Sequence, residues 1–178
     1  RSVEHLSSFG DEVDSIMEWS ELRSVAPFAV YYYSYGLYKT GRYADALPLI
    51  SRFEELFPDH ELEQESFYLA GLCCMEEAQY MRAVSFFDRI TAEQDDLFVR
   101  AAYRKAESFE HAKENRQAAS AYRSFYEQYP DNALADEAML RYAEVLGKMG
   151  NIEEAVLMFR TLPKRFPRSS LQDDSVYM

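Results

Sequence analysis

Cysteine is nearly absent: two residues, Cys73 and Cys74, stand side by side in a chain of 178. Adjacent helical side chains point about 100° apart, so the pair cannot bridge without breaking its helix. There is no disulfide framework, and the redox compartment stays open. Histidine occurs three times, at His5, His60 and His111, far apart and without metal-ligand spacing. No Gly-x-Ser-x-Gly is present, and Gly147-Lys148 lacks the upstream glycine of a phosphate loop. No apolar run is long enough to span a bilayer, and no signal peptide is recognisable. Basic residues are the minority, 19 against 31 acidic, for a net charge of −12. That balance argues against nucleic acid or an anionic membrane surface as the main partner. The carboxylate runs Glu54/Glu55, Asp95/Asp96 and Glu153/Glu154 read as helix starts or solvated faces. The expectation is a chain with no catalytic residues, no metal ligands and no cofactor.

Hydrophobic residues make up 48% of the chain, enough to fold. Their arrangement is clearest in Asp131–Pro167. Ala138, Met139, Tyr142, Ala143 and Leu146 are spaced three and four apart, and so are Ile152, Ala155, Val156, Phe159 and Leu162. Each set marks an amphipathic helix, and the short joint at Gly147–Gly150 turns one back on the other. The layout recurs when anchored on a closing proline. Before Pro167 come Leu162, Phe159, Ala155 and Gly150; before Pro58, at the same offsets, Phe53, Ile50, Ala46 and Gly41. Pro130 is preceded by Phe125, Tyr122, Ala118 and Lys113, and Pro27 by Leu22, Trp19, Ser15 and Gly10. Asp95 takes the proline's place after Ile90, Phe87, Ala83 and Ala78. The small residues Ser15, Ala46, Ala83, Ala118 and Ala155 are spaced by 31, 37, 35 and 37 residues. A period near 34 with this layout is the mark of a helix–turn–helix solenoid.

The pattern resembles the tetratricopeptide repeat, and Tyr142-Ala143, Leu146, Gly150, Ala155, Phe159 and Pro167 match it well. The resemblance implies an all-α, right-handed superhelical solenoid of helical hairpins. The small residues, Ala46, Ala83, Ala118 and Ala155 among them, would sit where two helices cross closely. Four repeats are expected at about 27–60, 64–97, 99–132 and 136–168. Residues 1–26 would be the second helix of a degenerate repeat, with Glu12–Leu22 helical. Residues 169–178 would begin another first helix, as in part of a longer protein.

The junction between repeats is more specific. Pro130-Asp-Asn-Ala-Leu134-Ala-Asp-Glu-Ala138 is echoed by Pro58-Asp-His-Glu-Leu62-Glu-Gln-Glu-Ser66 and by Pro167-Arg-Ser-Ser-Leu171-Gln-Asp-Asp-Ser175. Locally, Asp131 or Asn132 would cap the helix, and Asp136 and Glu137 would sit at its positive end. The junction resembles that of a group of bacterial envelope proteins, outer-membrane β-barrel assembly lipoproteins and periplasmic Tol–Pal-associated proteins among them. The resemblance implies the periplasm or the outer-membrane periphery; a cytoplasmic location is the alternative.

The aromatic residues suggest where a partner binds. In this family first helices line the concave face. Val30, Tyr33, Ser34 and Leu37 take the packing offsets, which leaves Phe28, Tyr31, Tyr32, Tyr35 and Tyr38 for the groove. The same transfer adds Tyr68, Leu69, Leu72 and Met75, then Arg100, Tyr103, Arg104 and Glu107, then Arg141 and Glu144. Tyrosine and methionine with nearby arginine is the composition of a protein-binding surface. The expected partner is therefore a protein or peptide, its apolar anchors met by tyrosines and an acidic or polar flank by Arg100, Arg104 and Arg141. The same tyrosines would equally be covered by segments of the protein itself. Grooves that grip a C-terminal carboxylate carry Lys and Asn on successive first helices, and Tyr31, Tyr35, Leu69 and Leu72 stand there instead. An accessory small-molecule-binding protein and a regulatory arm of a larger enzyme remain alternatives. Direct membrane insertion is not expected, and the sequence leaves oligomeric state open.

Overall fold

The structure is a computed structural model that describes residues 25–91, 96–167 and 169. The expectations for Glu12–Leu22, Trp19, His5, Asp95 and Ser170–Met178 lie outside the described residues. Every regular element among the described residues is helical. The chain divides into two compact units, residues 1–92 and 93–178.

In the first unit, α1 (Ala26–Lys39) turns back as α2 (Tyr43–Ile50), followed by the single turn α3 (Phe53–Leu56). Helix α4 (Glu63–Glu76) then pairs with α5 (Tyr80–Phe87), and α2 packs against α4. Pro27, read from the sequence as the end of a preceding repeat, sits in the first turn of α1, where its missing N–H costs nothing. Pro48 lies inside α2, and the helix ends two residues later.

In the second unit, α6 (Asp96–His111) pairs with α7 (Asn115–Gln128), and α8 (Ala135–Lys148) with α9 (Ile152–Arg165). Helix α7 packs against α8. Pro58, Pro130 and Pro167 each lie just past a helix end.

The four turns share one geometry. Gly41, Ala78, Lys113 and Gly150 all have positive φ, at 76°, 55°, 62° and 82°. The next N–H in each case reaches back five residues: Arg42 to Leu37 O at 2.9 Å, Gln79 to Cys74 O at 2.8 Å, Glu114 to Phe109 O and Asn151 to Leu146 O at 2.9 Å. This is the Schellman closure, which satisfies carbonyls left over at a helix end and needs one left-handed residue. The position is the one found seventeen before the closing proline, so the sequence repeat and the backbone repeat coincide.

Burial follows the same register. Ala46, Ala83 and Ala118 are fully buried and Ala155 nearly so, as are Ile50, Phe53, Phe87, Tyr122, Phe125 and Leu162. Phe159, at the offset of Ile50 and Tyr122, is only partly buried against the core of its unit. A second register of small residues runs through the first helices, seven before each left-handed residue: Ser34, Gly71, Ala106 and Ala143, all buried. Gly71 is tighter still, since a Cβ built there would lie 2.4 Å from the Phe87 ring. Hairpin α4/α5 is therefore closed by an aromatic ring lying against bare backbone.

The junctions differ in detail from the capping expectation. Helix α8 has no side-chain cap; Asn132 Oδ1 instead accepts a bond from the Leu134 N–H at 2.9 Å, ahead of the helix. His60 does the same for Leu62 at 3.1 Å, and its ring meets Phe28 and Phe53 edge-on at 5.2 and 5.8 Å. His60 is thus a half-buried joint residue.

Candidate functional site

In the first unit, α1 carries the largest exposed aromatic surface among the described residues. Tyr32, Tyr33 and Tyr35 are 61%, 45% and 41% exposed. Phe28, Tyr31 and Tyr38 are half-buried. Tyr31 and Tyr35, one turn apart, hold their rings nearly parallel with centroids 6.4 Å apart, and Tyr32 meets Tyr31 edge-on at 5.3 Å. Tyr38 leans on Tyr43 at 5.4 Å, and the Lys39 ammonium lies 5.7 Å from the Tyr35 ring centroid. Helix α1 contains no Asp or Glu, in a chain with 31 of them. Val30, Ser34 and Leu37 are buried, as expected. Tyr33 is not: it lies about 60° around the helix from Val30, and small Ser34 takes the close approach in its place.

Tyr68, Leu72 and Met75 on α4 are half-buried. Tyr68 packs on Phe87 at 5.8 Å, so it supports the hairpin as well as facing outward. Leu69 is a correction. It is 2% exposed and cannot line a groove. The cause is the central position of α4, which packs against both α2 and α5 and is buried on more than one side.

The second unit offers charge where the first offers aromatic rings. The register position of Tyr32 and Leu69 is held by Arg104 and Arg141, and that of Tyr35 and Leu72 by Glu107 and Glu144. Arg104 pairs with Glu107 at 2.7 Å, and Arg141 with Glu144 at 3.3 Å and Glu137 at 3.7 Å. Arg100 pairs with Asp96 at 2.9 Å. Each guanidinium expected to meet an acidic or polar flank already meets a carboxylate on its own helix. Tyr103 is the second correction. It is 3% exposed and packed between Tyr122 and Phe125, with centroids at 5.9 and 5.3 Å. Burial, then the nearby Glu137 and Glu107, push its phenol well above the usual range.

A part-buried polar link joins three helices of this unit. The Tyr122 hydroxyl donates to Glu110 Oε2 at 2.9 Å, and Lys148 Nζ donates to Oε1 at 2.6 Å. Burial raises the Glu110 pKa, but these two hydrogen bonds and the Lys148 charge outweigh it and hold the carboxyl below its ordinary value. Tyr142 donates to Glu154 at 2.7 Å across the α8/α9 hairpin. Neither link is legible in the sequence, because the partners are twelve to thirty-eight residues apart.

Cys73 and Cys74 are fully buried. Burial pushes the Cys73 thiol up to about 12 and Cys74 to about 11. Both are packing residues held as thiols, the form that neither attacks nor ligates. Among the described residues no group of three His, Cys, Asp or Glu side chains converges to hold a metal, and no helix is long and apolar enough to cross a membrane. A cavity of about 370 Å³ opens between α6 and α7, lined by Ala102, Lys105, Phe109, Gln117, Ser124 and Tyr129 among others. It contains none of the residues expected from sequence.

The fold and these surfaces define a protein of the tetratricopeptide-like solenoid class. The chain matches the family described as YfiO, outer membrane lipoprotein, over residues 25–159, and it belongs to that family. No curated protein matches it. Among solved structures it is similar to MamA from Desulfovibrio magneticus, at 15% identity and a TM-score of 0.67 over 90% of this chain and 87% of that one. A putative kinesin light chain with tetratricopeptide-like repeats, from Podosopora anserina, gives 11% and 0.63 over 84% and 77%. A tetratricopeptide repeat protein from Bacteroides fragilis gives 20% and 0.57 over 77% and 62%. At these identities the likeness carries the fold.

Proposed function

We propose that the chain is a non-catalytic docking scaffold at the periphery of the outer membrane, and that it binds a segment of a partner protein on the tyrosine-rich face of α1. The observation that carries this reading is the exposure of Tyr32 and Tyr35 on a helix that already buries Val30, Ser34 and Leu37. A monomer seldom leaves contiguous aromatic surface in water. Tyrosine loses little side-chain entropy on binding, and it donates a hydrogen bond from the rim of a flat apolar body. Membership of an outer-membrane lipoprotein family supports the location. The charged face of the second unit, with its arginines paired, reads as a solvated wall rather than a second anchor.

The test is photo-crosslinking in the source cell, with a benzophenone amino acid replacing Tyr32 or Tyr35. The expected result is one defined adduct from these positions and none from Arg123, an exposed control on α7. Equal labelling at all three positions would contradict the reading.

A further inference from the structure

Resting on the reading of α1 as a docking face, we propose that its occupant is a proline-rich segment in the polyproline II conformation. Three features of the face point to that chemistry.

The first is shape. Phe28, Tyr31, Tyr35 and Tyr38 recur at three- and four-residue spacing and so share one side of α1. The ten steps from Phe28 to Tyr38 span about 15 Å at about 1.5 Å each. Five residues of polyproline II, at about 3.1 Å each, cover the same length. The nearly parallel rings of Tyr31 and Tyr35 offer ridges of flat aromatic surface of the kind against which prolyl rings pack.

The second is hydrogen bonding. A proline-rich backbone carries carbonyl acceptors and few N–H donors, and in polyproline II none of its carbonyls is used internally. Tyrosine supplies donors on apolar bodies, and the exposed Tyr32 and Tyr35 present them at the edge of the stripe. A docked α-helix would have used its carbonyls already and would leave those phenols to water.

The third is charge. Helix α1 itself carries no carboxylate, although the chain carries −12 overall. Its bordering charge is Lys39, set against the Tyr35 ring. A neutral segment meets no repulsion there. A strongly basic one gains nothing from α1 itself.

Isothermal titration of the whole chain with an oligoproline peptide of about ten residues, about three turns of polyproline II, tests the proposal. A Gly/Ser peptide and an amphipathic helical peptide of equal length serve as comparisons. The expected result is saturable binding of oligoproline alone. Tyr31→Ala with Tyr35→Ala should weaken it about tenfold or more, as loss of hot-spot side chains does. Tyr35→Phe, which keeps the ring and loses the donor, should weaken it less. If the Tyr31 variant melts early, Tyr32→Ala with Tyr35→Ala, both at exposed positions, replaces it. Oligoproline binding no better than Gly/Ser overturns the proposal. If the helical peptide binds instead and the same substitutions abolish it, the conformation is wrong and the docking face stands. If no peptide binds, the polyproline proposal falls, and the docking reading is decided by the crosslinks alone.

Discussion

A single methyl group decides whether α4 and α5 can close. At Gly71 a Cβ would lie within 2.4–2.9 Å of three atoms of the Phe87 ring, and Phe87 is 3% exposed with little room to yield. Gly71→Ala should therefore destabilise the fold by about 1–3 kcal/mol, the usual cost of overpacking. Urea unfolding reads this directly; an unchanged midpoint would mean that the ring moves aside freely. Two residues away the cysteines give a second test. With thiols raised to about 12 and about 11, almost no thiolate exists at neutral pH. Iodoacetamide should leave both unmodified in the native protein and alkylate both in urea. The sequence excludes a Cys73–Cys74 bridge by adjacency and helical phase, and the structure shows both as buried packing residues. The sequence could not identify Gly71, Leu69 or Tyr103. Gly71 owes its role to one ring across the hairpin. Leu69 and Tyr103 reach the groove only by transfer of offsets from α8, and that transfer ignores how many neighbours each helix has. Tyr68, placed in the groove by the same transfer, touches Phe87, so its loss would confound binding with stability.

At the scale of the element, the turns were legible and the polar links were not. Each hairpin turns on one left-handed residue, glycine at 41 and 150 but Ala78 and Lys113 in the other two. An L-residue there costs about 1–2 kcal/mol, part of which glycine gives back as backbone entropy. Ala78→Gly and Lys113→Gly should each stabilise by up to about 1 kcal/mol, and Gly41→Ala and Gly150→Ala should destabilise by about as much. Thermal melts of the four variants check both signs at once. The Glu110 link gives a pH test. Its carboxyl is held below the ordinary 4.5 in the folded state, so its stabilisation is present above that pH and is lost as the pH falls through the folded value. Glu110→Gln should lower the melting temperature at about pH 7, and the difference from wild type should shrink as the pH falls below the ordinary 4.5 and through the folded value. A difference that stays constant with pH would show that the ion pair with Lys148 is not its source. No sequence pattern announces such a link, since Tyr122, Glu110 and Lys148 meet only once three helices are packed.

For the whole molecule, the repeat made the solenoid class readable, because five in-phase anchors are difficult to produce by any other fold. Composition made the aromatic face of α1 readable: the helix is aromatic on more sides than packing requires. On α1 the tyrosines at these positions are exposed or half-buried, whereas Leu69 and Tyr103 are taken into the core. The central claim is that Tyr32 and Tyr35 serve a partner and not the fold. The direct measurement is the affinity of the protein recovered by crosslinking for the Tyr32→Ala, Tyr35→Ala double variant, paired with a thermal melt of the same sample. Binding should weaken by about 2 kcal/mol or more. The melt should shift far less than for Leu162→Ala, a fully buried residue whose truncation is expected to cost about 2–5 kcal/mol. A double variant that melts as early as Leu162→Ala, or that binds with wild-type affinity, would contradict the account.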